Sequence, residues 1–72
     1  MNAYEITLQE FTINDNSVVL VIILEIDESS IYSVRWLVNR KFGFKTFESN
    51  FHAGNFFNEI KSAISVVSVV SE

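Results

Sequence analysis

The chain has no cysteine and no proline, only two glycines, and one residue each of histidine, methionine and tryptophan. Without cysteine there can be no disulfide, no thiolate zinc site and no cysteine nucleophile. His52 is the lone imidazole, so no site needing two of them can be built within one chain. Two glycines cannot line a phosphate-cradling loop, and no serine has the flanking glycines of a nucleophile elbow. Basic side chains are also scarce: five Lys and Arg against nine Asp and Glu leave a net charge of −4. That balance weakens a general case for nucleic-acid binding, because phosphate contacts need a positive field. No apolar run approaches the ~20 residues of a membrane-spanning helix, and residues 1–5 lack the basic-then-apolar pattern of a secretory signal. These absences lead to the expectation of a soluble, cytoplasmic protein that is not an enzyme, with no cofactor, catalytic group or metal site.

What is present is apolar. Of 72 residues 49% are hydrophobic, seven of them phenylalanine, a composition that folds. Residues 1–72 form a single small domain, near the size at which one core is marginal. Small chains add disulfides, a metal or a second subunit to compensate. With the first two excluded, self-association remains.

The chain is organised around residues 18–26, Val-Val-Leu-Val-Ile-Ile-Leu-Glu-Ile. The β-branched content suits a pleated strand, and apolar residues on both faces suit a central one. Residues 3–13 alternate but change face, with Tyr4, Ile6 and Leu8 on one side and Phe11 and Ile13 on the other. A bulge near Gln9 and Glu10 would bring both sets to one core. Asn14-Asp15-Asn16-Ser17 reads as a turn, and Asp27-Glu28-Ser29-Ser30 as a second. Residues 31–39 form a third strand, with Tyr32, Val34, Trp36 and Val38 on its buried face. A turn beginning at Arg40-Lys41, with Asn39 as a further candidate, leads to a fourth strand over residues 42–48. Ser49 or Asn50 could cap a helix, whose regular part is expected from Asn55 because Gly54 is a weak point. Its stripe is Phe56, Phe57, Ile60, Ala63, Ile64 and Val67. The helix is expected to fray near Ser68, contact of Val66 and Val69 with a partner being the alternative. The fold class is therefore α+β: an antiparallel four-stranded β-meander with one C-terminal amphipathic helix packed on one face.

A meander places successive turns at alternate ends of its sheet. Glu5, Glu25, Asp27, Glu28 and Glu48 should gather near one end, with Arg40 and Lys41 at the other. Asp27-Glu28 lacks the spacing of a calcium loop, so the acidic end reads as a solvated turn or a binding surface rather than a catalytic site. One helix covers one face of the sheet, and the row Val19, Val21 and Ile23 on the other face calls for a partner. A homodimer packed sheet to sheet would cover it, and a different protein is the competing occupant.

Arg40-Lys41-Phe42-Gly43-Phe44-Lys45-Thr46-Phe47 resembles the first ribonucleoprotein motif of RNA-recognition domains. The resemblance implies a strand on which Arg40 meets phosphate while Phe42 and Phe44 stack on bases. It covers residues 40–47; Lys41 replaces the motif's first glycine, and Lys45 replaces an aliphatic residue.

Two function classes follow. The first is a small acidic, non-catalytic protein-binding module, an inhibitor or adaptor that occupies the surface of a larger protein or nucleoprotein complex. By analogy of size, charge and missing chemistry this class includes phage anti-defence proteins such as anti-CRISPRs, immunity proteins and antitoxins. Its partner-binding residues would be Glu25, Asp27, Glu28 and Glu48, facing a basic surface. The second is a single-stranded nucleic-acid binder using Arg40, Phe42 and Phe44.

Overall fold

Short polar segments between alternating runs leave the chain little choice but to double back on itself. A computed structural model of the chain describes residues 4–25, 27 and 29–70, with side chains described as far as Val66. It contains β1 (Tyr4–Ile13), β2 (Asn16–Leu24), β3 (Ser30–Val38), β4 (Lys41–Phe47) and α1 (Asn50–Val70). The strands form one sheet in the order β1-β2-β3-β4, each antiparallel to the next. This is the expected α+β meander, with α1 packed on one face. Ile26 and Glu28 lie outside the described residues.

The hairpins close more tightly than expected. Asn14 is left-handed at φ 56° and, with Asp15, makes the whole first turn, so Asn16 and Ser17 already belong to β2. Asn39 (φ 54°) and Arg40 (φ 67°) are both left-handed, the mirror-image turn whose twist matches that of flanking strands. Lys41 is therefore not a turn residue but pairs with Val38 as the first residue of β4. The buried Asn16 side chain accepts the Asn39 amide at 3.0 Å, tying both turns together at one end of the sheet.

The register of β1 slips between Thr7 and Gln9, making Leu8 the extra residue, slightly earlier than the expected bulge. The slip turns Phe11 and Ile13 toward the helix, where both pack against the core. Tyr4 and Ile6 pair with Leu24 and Ile22 on the helix side of the sheet. They do not join the core: the helix passes them by, leaving Tyr4, Ile6 and Leu8 exposed.

The core is Val18 and Leu20 from β2, Val34 from β3, and Ala53, Phe57 and Ile64 from α1. Burying side chains of this size contributes about 1.5–3 kcal/mol for each of the larger ones. Ser49 caps the helix, its hydroxyl accepting the His52 amide at 3.4 Å and its carbonyl the Ala53 amide at 3.0 Å. Thus α1 begins at Asn50 and passes through Gly54 without interruption, rather than starting at Asn55. One cap satisfies enough of the first-turn amides for glycine to be tolerated. The helix also continues to Val70 rather than fraying at Ser68. Ala53 is on the buried stripe and Ala63 is exposed, contrary to expectation, and Val66 is exposed. The side chains of Val67 and Val69 lie outside the described ones.

The helix crosses the sheet obliquely. Phe56 meets Phe47 of β4 and Trp36 of β3, each at 5.4 Å between ring centroids, whereas Lys61 reaches over Phe11 of β1. Trp36 lies flat over the β4 backbone at Gly43, opposite it in the register. A Cβ on Gly43 would come within 2.5 Å of the indole. An edge-strand glycine is here covered by an aromatic side chain from its neighbour.

Candidate functional site

The face of the sheet away from α1 has no second layer among the described residues. Register fixes who shares it: Glu5, Thr7 and Glu10 of β1, Val19, Val21 and Ile23 of β2, Ile31, Ser33, Arg35 and Leu37 of β3, and Phe42, Phe44 and Thr46 of β4. Leu37, Phe42 and Phe44 are exposed, the two phenylalanines by 68% and 63%. These two are neighbours on one face, about 7 Å apart along the strand. The expected exposed apolar face is therefore there, but its centre of gravity lies on β4 rather than on β2.

The reason is an ion pair that was not expected. Arg35 Nη1 and Nη2 donate to Glu5 Oε1 and Oε2 at 3.1 and 2.8 Å, a two-pronged contact between β3 and β1. Arg35 stands opposite Val19 and Glu5 opposite Ile23, so the link crosses β2 over Val21. Val21 and Ser33 are only 3% and 1% exposed although no other described element is stacked on that face. The long stem of Arg35 and the Glu5 side chain shield the middle of the sheet from water. The Arg35 guanidinium, by hydrogen bonding and by charge, holds the Glu5 carboxyl below its ordinary range, and the Arg35 pKa rises in return. Beside the pair lies an open groove of about 290 Å³ whose walls include Val19, Leu37 and Phe42. Alternation places Arg35 on this face, but its partner thirty residues earlier can be found only once the β1 bulge and both registers are known.

The acidic end is assembled as expected by topology. The β2–β3 turn, with Glu25 and Asp27, and Glu48 after β4 lie at one end of the sheet, and Arg40 and Lys41 at the other. Glu25, Asp27 and Glu48 are exposed; Glu28 lies outside the described residues. Asp27 accepts from the Ser29 hydroxyl at 2.7 Å and from its amide at 3.1 Å. The hydroxyl and then the amide lower its pKa. Asp27 is thereby a turn-former as much as a free charge. Glu5, opposite Ile23, stands near this end as expected, and its carboxylate is committed to Arg35.

The residues that resemble the ribonucleoprotein motif divide between the two faces. Phe42 and Phe44 stand on the open face, the position the resemblance needs for stacking. Lys45 is on the helix side, with its ammonium 5.5 Å from the centroids of both Phe47 and Phe56. A cation replaces the aliphatic residue there by lying over aromatic rings at the sheet edge. Phe47 packs against the core.

A second groove, of about 690 Å³, runs between the end of β4 and the first turns of α1, past Glu48, His52 and Glu59. His52 is exposed, its ring edge-on to that of Phe51. Among the described residues no three His, Asp or Glu side chains are placed to hold a metal ion, and no helix is long and apolar enough to cross a membrane. No protein-family model matches the chain, and neither a curated protein nor a solved structure matches it.

Proposed function

We propose that this chain is a small protein-binding module of the inhibitor or adaptor class, acting by occupying a surface rather than by chemistry, with the open face of its sheet as the contact. The observation that carries this reading is the patch Leu37, Phe42 and Phe44, exposed side by side on a face that no other described element covers. Large aromatic side chains of this kind are the usual anchors of protein interfaces. The acidic end formed by Glu25, Asp27 and Glu48 adds a rim that favours a basic partner surface and speeds encounter with it. Kinship to phage anti-defence proteins, immunity proteins or antitoxins remains an analogy of size and charge. The test is capture of partners from the source cell or its host by wild type and by Phe44→Asp. Loss of a specific partner in the variant, with circular dichroism unchanged, supports the open face. Capture that persists in the variant but is lost on changing Glu25 and Glu48 to lysine transfers the contact to the acidic end.

A second reading, single-stranded nucleic-acid binding through Arg40, Phe42 and Phe44, is favoured by the shared exposure of the two phenylalanines. Base–aromatic stacking is worth about 1–3 kcal/mol per base, and Arg40 stands at the adjoining turn. Titration of single-stranded RNA and DNA at several salt concentrations decides it: binding with a steep salt dependence that Phe44→Ala abolishes would displace the protein-binding reading.

A further inference from the structure

From the bulged outer edge of β1, we infer that the chain pairs along this strand, antiparallel, with a second copy of itself. Two four-stranded sheets then become one, with both helices on the same side. The inference goes beyond the reading of the open face and leaves that face free.

Of the two outer strands, β1 is the one without the usual guards. It runs for ten residues, Tyr-Glu-Ile-Thr-Leu-Gln-Glu-Phe-Thr-Ile, with neither lysine nor proline. In contrast β4 is shorter, carries Lys41 and Lys45, and has Trp36 lying over its glycine. Shortness, lysine and proline are what keep a sheet edge from recruiting another strand. Among the described residues nothing pairs with the outer side of β1. Tyr4 and Ile6, exposed on the helix side, and the extra residue Leu8 form an apolar strip along its first half.

The slip at Leu8 decides how two such strands can meet. Before it the even positions, Tyr4 and Ile6, face the helix side; after it the odd positions, Gln9, Phe11 and Ile13, do. Side chains opposite each other in a sheet share a face, so the first half of one β1 must meet the second half of the other. One register does this over the whole strand. It sets Ile6 opposite Phe11 and Tyr4 opposite Ile13 on the helix side, with Thr7 opposite Glu10 and Glu5 opposite Thr12 on the open face. The two extra residues, one from each copy, fall beside the two-fold axis, and every contact occurs twice. Tyr4 and Ile6 thereby meet apolar side chains. Glu10 faces a threonine, and the charge of Glu5 is answered within its own copy by Arg35. Sliding the strands by two residues would instead set Glu5 opposite Glu10 in both halves.

The helix supplies a second observation. It starts over β4 and β3, where Phe56 meets Phe47 and Trp36, and Lys61 then reaches over Phe11 of β1. From Lys61 it continues to Val70, roughly 13 Å further along its axis. Its course from β4 toward β1 carries these last turns, ending Val-Val-Ser-Val-Val, toward the β1 edge at the Ile13 end. In the pair, the Ile13 end of one copy stands beside the Tyr4 end of the other. The carboxy-terminal turns of each helix therefore lie next to the strip that the other copy's helix leaves bare.

The experiment is sedimentation equilibrium across the micromolar range, with cross-linking to fix the register. Wild type is expected to form a dimer as concentration rises, and Ile6→Lys to stay monomeric with its circular dichroism unchanged. The chain has no cysteine, so introduced thiols report on the contact without background. Thr7→Cys combined with Glu10→Cys should give a covalent dimer under mild oxidation, about tenfold faster than either single variant, because only the pair opposes thiol to thiol. Within one chain these positions are three residues apart along a strand, beyond the ~7 Å that a disulfide tolerates. A wild type that stays monomeric overturns the inference. So does a dimer that survives Ile6→Lys, or one in which a single thiol links as fast as the pair. A dimer lost on Phe44→Asp but kept in Ile6→Lys would move the second copy to the open face and overturn the pairing of β1. Partner capture through Phe44 should be unchanged in Ile6→Lys, so this inference and the reading of the open face fail separately.

Discussion

Two glycines sit in opposite circumstances, and substitution should separate them. Around Gly54 nothing lies within 4 Å of where a Cβ would be, and the residue is inside a continuous helix. Gly54→Ala is expected to stabilise the fold by about 0.5–1 kcal/mol, by removing backbone freedom from the unfolded chain. Gly43→Ala would drive a methyl group into the Trp36 indole, which is held from the other side by Phe56. Overpacking of that kind costs about 1–3 kcal/mol. Thermal melts of the two variants should therefore move in opposite directions, by several degrees in a domain of this size. From sequence alone both positions carry the same letter. Only the register that sets Gly43 opposite Trp36, and the cap at Ser49 that carries the helix through Gly54, tell them apart.

At the level of elements, the ion pair between β1 and β3 makes stability depend on pH in a stated direction. The Glu5 carboxyl titrates lower in the folded state than in the unfolded chain, because Arg35 donates to it. Its contribution is fully present above the ordinary glutamate range and is lost as pH falls through the lowered folded value. Denaturant midpoints of wild type should thus drop on acidification more than those of Glu5→Gln, and the gap between them should close at low pH. Parallel curves for the two would remove Glu5 from the acid sensitivity. The four strands, the helix and their order were legible because alternation, turn chemistry and a 3.6-residue stripe each act over short range. The sharing of charge across the open face was not, since Glu5 and Arg35 meet only through two registers and a one-residue slip at Leu8. Phe42 and Phe44 stood out as candidates by local pattern. That they are exposed together follows from the same alternation, once α1 is known to cover the other side. The helix boundaries were misread at both ends, at Asn55 because local propensity undervalued the Ser49 cap, and at Ser68 because the β-branched run after Ile64 was given too much weight against the helix.

For the whole molecule, the order β1-β2-β3-β4 has a kinetic meaning. Every strand pairs with the one just before or after it in the chain, so the sheet can zip up hairpin by hairpin without closing a long loop. The two tight turns and the absence of proline mean that no peptide-bond isomerisation delays the process. The contacts of largest sequence separation are those that α1 makes with β1 and β2, among them Lys61 over Phe11. A chain arranged in this way gains its sheet early and closes its core last, when the final third of the sequence swings across it. A nascent chain emerging amino-terminus first would thus present both sheet faces bare until the helix is complete.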